Sequence, residues 1–269
     1  MSFTSWGLPN GGRTARVQIE YDESSSLDGR DCATALLNTC DEDYELTSRW
    51  FRGVELLAIA PVNVRLCTCA PDADVAPADV TIVRAPGARP GRIRYLFVAE
   101  LSKLFMRAQA GGWLDAEGNG HGLSLARFLG AQVLAANALG APELDLQPAN
   151  AWMAGPREDD VNQPGVGEAA DGCRVLFLYY LMMQLKFSVD QIVGAGAPDL
   201  AGVYRNLTGE PDDPFPHFKE LLDGRYPGAR TIPDGHPDNP WPIGHLVEEV
   251  VDEDEIPTIP WDRSGFIRP

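Results

Sequence analysis

The sequence predicts an α+β fold: a small N-terminal β-sheet, then one long amphipathic helix, a mostly α-helical remainder and an extended acidic tail. Three observations predict it. Alternating apolar and β-branched runs are confined to the first 90 residues. From Arg92 onward apolar residues recur at helical spacing. Beyond residue 231 the composition changes again, to one that cannot build a core of its own. The expected organisation is one domain over residues 1–230, β-rich over 1–90 and helical over 91–230, followed by the tail at 231–269.

Taken in order, Thr14 to Tyr21 sets Ala15, Val17, Ile19 and Tyr21 against polar neighbours, the pattern of a half-buried strand. Asp31 to Phe51 reads as helix in pieces. Val62 to Cys69 and Val80 to Val83 are short strands bounded by prolines. The Pro-Gly-Ala-Arg-Pro-Gly cluster at 86–91 ends this region. Arg92 to Gln109 then runs without Gly or Pro, carrying Ile93, Leu96, Phe97, Leu101, Leu104 and Phe105, and Gly111-Gly112 stops it. A second helix is expected over Gly120 to Leu139, and a long polar loop over 154–172. Cys173 to Phe187 is apolar nearly all round and predicts a central, buried helix. Ser188 to Val193, Asp199 to Asn206 and Phe215 to Asp223 predict three shorter helices.

Charge narrows the function classes. Lys and Arg number 22 against 39 Asp and Glu, a net charge of −17 over 269 residues. That field repels a nucleic-acid backbone, so no nucleic-acid partner is expected. No apolar run approaches the roughly 18 residues of a membrane span. The N-terminus lacks the basic and apolar regions of a Sec signal, so a cytoplasmic location is expected. The five cysteines read as buried, reduced thiols: Cys67-Thr-Cys69 has no second pair or nearby histidine to complete four metal ligands. In the tail, seven prolines and nine acids against two arginines surround Trp241, Trp261 and Phe266. Aromatic anchors on an acidic extended segment fit a binding arm for a protein partner or for self-association.

Phe97-Val98-Ala99-Glu100-Leu101-Ser102-Lys103-Leu104-Phe105-Met106, followed after a Gly-rich approach by His121-Gly122-Leu123-Ser124, carries a resemblance. With Phe177-Leu178-Tyr179-Tyr180-Leu181 and Leu207-Thr208-Gly209 downstream, residues 60–225 are similar in layout to gluzincin-type zinc peptidases of the zincin superfamily. The chain also resembles uncharacterised bacterial proteins with similar Ala-Glu helices and Leu-Phe-Leu-x-Tyr-Leu runs, a resemblance that implies no function. The resemblance to zinc peptidases implies a helix bearing H-E-x-x-H, whose histidines lie about 40° apart on one helical face and hold Zn²⁺. The intervening Glu polarises the metal-bound water, and a third ligand comes from the next helix.

Aligned on Glu100, the two histidine positions fall on Ala99 and Lys103, and His121 stands at the third-ligand position. Ala99 has no donor and a lysine ammonium is repelled by a dication, so no metal or other cofactor is expected. The function this implies is that of a metallopeptidase-like pseudoenzyme acting by binding, assembly or structural interaction. Lys103, paired with Glu100 at i+3, stands in for the lost cation. The alternative is a hydrolase using Glu100 and His121 in one cleft without conventional zinc ligation. Asp115 and Asn119, beside His121, are further binding candidates, Asn119 because Gly118-Asn119-Gly120 leads into a helix N-terminus. Arg157-Glu158-Asp159-Asp160 carries oxygen donors for Ca²⁺ but lacks EF-hand spacing, and reads as a solvated loop. Neither a G-x-S-x-G nucleophile elbow nor a phosphate-cradling glycine motif occurs.

Overall fold

A computed structural model describes residues 2–67, 79–83, 88–109, 112–113, 120–137, 143–163 and 167–225. The chain divides into two compact units, Met1–Ala108 and Gln109–Pro269. The predicted order of a small sheet followed by a mostly helical region is the observed one.

In the first unit, β1 (Phe3–Thr4), β2 (Val17–Asp22), β3 (Val62–Cys67) and β4 (Val80–Val83) form one mixed sheet in the order β1-β2-β3-β4. β1 pairs antiparallel with β2, while β2, β3 and β4 run parallel, with Val17 opposite Val62 and Val64 opposite Val80. Parallel neighbours need a long crossover, and α1 (Ser26–Leu37) with α2 (Cys40–Trp50) supplies it between β2 and β3. Val17 and Ile19 on β2, Val62, Val64 and Leu66 on β3, and Val80 and Ile82 on β4 are buried at period 2. The strand predicted from Thr14 is β2 and begins at Val17: the Thr14 hydroxyl instead donates to Asp41 Oδ1 at 2.6 Å and shapes a turn.

The long helix α3 spans Pro90–Ala108. It starts two residues before the predicted point, because proline at the first helical position gives up an N–H that has no intrahelical acceptor. Ile93, Phe97, Leu101 and Phe105, one turn apart, are fully buried. Phe105 stacks on Phe51 with centroids 5.5 Å apart and meets the edge of Tyr44 at 5.3 Å.

The second unit comprises α4 (Gly120–Ala136), α5 (Glu143–Ala154), α6 (Glu168–Tyr179), α7 (Val189–Gly194), α8 (Leu200–Thr208) and α9 (Phe215–Arg225). Ser188 and Gln191 form a capping box on α7, and Asp199 Oδ1 accepts from the Gly202 amide at 2.6 Å to start α8. Phe177, Tyr180, Phe218 and Trp152 close an aromatic core with centroid separations of 5.3–5.8 Å.

Two expectations are corrected in this unit. The polar loop predicted over 154–172 gives way at Glu168 to α6, and the central helix predicted over 173–187 is α6 followed by a π-helical turn at Tyr180–Gln184. In that turn the Leu185 amide donates to the Tyr180 carbonyl five residues back. Gly172, which reads as a loop residue, is where α6 touches α5: a Cβ there would lie 2.0 Å from the Pro148 carbonyl oxygen. A bare Cα is what permits that approach.

Candidate functional site

Helical geometry decides what α3 presents. Arg94, Val98, Leu101 and Phe105 fall on the packed side, whereas Arg92, Leu96, Glu100, Lys103 and Arg107 lie along a strip that stays partly or wholly accessible. On that strip Lys103 Nζ donates to Glu100 Oε1 at 2.6 Å. The lysine side chain is 18% exposed and the glutamate 36%, so the pair is half-buried rather than freely solvated. Ala99, one residue before the glutamate, is buried.

Arg94 is the charged residue that sequence reasoning passed over. Its guanidinium grips the Asp43 carboxylate on α2 at 2.8 and 2.6 Å, and both side chains are buried. Burial pushes the Asp43 carboxyl above its ordinary range, against the pull of Arg94. A signal was available: Arg94 sits on the packed face with Val98, Leu101 and Phe105, where a charge needs a partner. This pair fixes α3 on α2 and thereby sets which strip of α3 faces outward.

His121 belongs to the second unit, in the first turn of α4, and is 1% exposed. Burial, and then the Arg174 guanidinium, lower its pKa to about 4, against Asp199 and the Gln163 backbone, which favour the proton. The positive end of the α4 dipole acts in the same direction as burial. The imidazole is therefore neutral at neutral pH and enclosed by protein. Around it runs a polar network. Ser124 Oγ donates to the Gly120 carbonyl at 2.9 Å and Arg127 Nη1 to Asp171 Oδ2 at 2.7 Å. Arg174, fully buried, donates to the carbonyls of Asp160 and Gln163, each at 2.9 Å, and lies 3.8 Å from Asp171 Oδ1. These donors tie the 160–163 segment to α6, a structural clamp.

That segment differs from the solvated loop expected of Arg157-Glu158-Asp159-Asp160. Arg157 is buried, adopts a left-handed φ of 54°, and pairs with Asp223. Asp159 Oδ1 accepts from the amides of Val161 and Asn162 at 3.0 and 3.1 Å, which closes a turn. Cys32, Cys40, Cys67 and Cys173 are buried, and burial pushes the Cys40 thiol up to about 12 and raises the Cys173 thiol as well. No described cysteine has the accessible, electropositive setting of a nucleophile.

The structure thus brings Glu100 and Lys103 together in the first unit and encloses His121 in the second. Asp115, Asn119, Trp241, Trp261 and Phe266 lie outside the described residues. The donor set at the zinc positions implied by the resemblance does not fit a zinc ion. Ala99 offers a methyl group, and Lys103 offers an ammonium already bound to the carboxylate between the two positions. Among the described residues, no three His, Cys, Asp or Glu side chains converge as a metal site, and no helix is long and apolar enough to cross a membrane. Comparison of the chain with protein-family models, curated proteins and solved structures gives no match.

Proposed function

We propose that this chain is a zincin-like protein that lacks metal-dependent hydrolysis and acts by binding, as an interaction or assembly protein. The observation that carries the reading is the Lys103–Glu100 ion pair on the accessible strip of α3. In a working zinc site the glutamate must take a proton from metal-bound water, so its carboxylate has to face that water. Here the carboxylate faces an ammonium supplied by the residue one turn on. The same ammonium places a positive charge where a ligand for a dication would be required, and Coulomb repulsion disfavours the metal.

The enclosure of His121 supports the same reading, because a general acid or base must reach the proton it transfers. The stretch 231–269, acidic and punctuated by Trp241, Trp261 and Phe266, is the segment assigned to the partner or to a second copy of the chain.

The test is elemental analysis of the purified chain together with proteolysis of an unstructured substrate such as casein. The expected result is less than about one-tenth of an equivalent of zinc and no turnover, since one imidazole without further donors does not hold the metal. Stoichiometric zinc, or casein cleavage that Glu100→Gln abolishes, would overturn the proposal. Light scattering on a chain ending at residue 230 checks the tail separately: a changed oligomeric state assigns it to self-association, and an unchanged one leaves it to a different partner.

A further inference from the structure

We draw no further inference here: the strongest candidate, the open groove of about 400 Å³ along α9 lined by His217, Glu220, Leu221, Gly224 and Arg225, sets both signs of charge around one apolar side chain, and nothing in the structure shows what covers it.

Discussion

Glu100–Lys103 on α3 and Asp171–Arg174 on α6 share one sequence pattern, an acid followed three residues later by a base. Their surroundings differ completely. The first lies half-buried on an accessible strip, where water screens both charges in part. The second lies inside the helical unit, where the guanidinium is fully enclosed and its other donors hold two backbone carbonyls. Spacing makes each pair geometrically possible, but burial decides what each does. The half-buried pair sets the local charge of a surface, and the enclosed one holds a loop in place.

Removing one partner from each pair should separate them most clearly. Arg174→Ala leaves the Asp171 carboxylate with Arg127 and strips the part-buried Asp160 and Gln163 carbonyls of their donors, so a loss of about 3 kcal/mol is expected in urea unfolding of the helical unit. A loss below about 1 kcal/mol would put the two pairs in the same class. Next in size is Gly172→Ala, which must drive α6 away from Pro148 and should cost about 1–3 kcal/mol by the same measurement. An unchanged midpoint would mean that α5 and α6 tolerate a wider separation.

Acidification sharpens the comparison further. The folded pKa of His121 is about 4 against 6.5 for the free side chain, so the unfolded chain binds the extra proton first. Stability from this group is complete above about pH 6.5 and falls as the pH drops toward 4, by at most about 3 kcal/mol. Asp160 and Asp171 have carboxyls pushed upward by burial and act in the opposite sense. The His121 contribution is therefore read as the difference between the native chain and His121→Asn across that range, and parallel pH curves would remove it. Smallest of all should be Lys103→Ala, at about 0.3–0.5 kcal/mol and diminishing with added salt. A salt-insensitive loss several times larger would show that the half-buried pair behaves like the fully enclosed one.

Much of the fold could be read from the residues because period reports environment. Alternation at Val17, Ile19 and Tyr21 marks a half-buried strand, and four-residue recurrence from Ile93 to Phe105 marks the packed side of α3. Helix α5 escaped notice because Pro148 inside it, with polar neighbours, argues against a helix at the level of propensity. The start of α6 was hidden by Gly172, whose value lies in what it lets come close and not in its own preference. At the candidate site, the Glu100–Lys103 pair follows from i,i+3 spacing alone. The enclosure of His121 does not follow from spacing, because it depends on Arg174 and on the carbonyls of a distant loop, groups that no local pattern connects.

The parallel pairing of β2 with β3 has a consequence for how the molecule comes into being. Glu20 and Arg65, joined across these strands at 2.9 Å, are 45 positions apart in the chain. During synthesis the earlier strand leaves the ribosome with its hydrogen-bonding edge open, and it stays open until two helices and a third segment have followed. Assembly of this sheet is therefore a late, non-local event, and the interval before it closes is when a nascent chain of this kind is most exposed to mispairing with its neighbours.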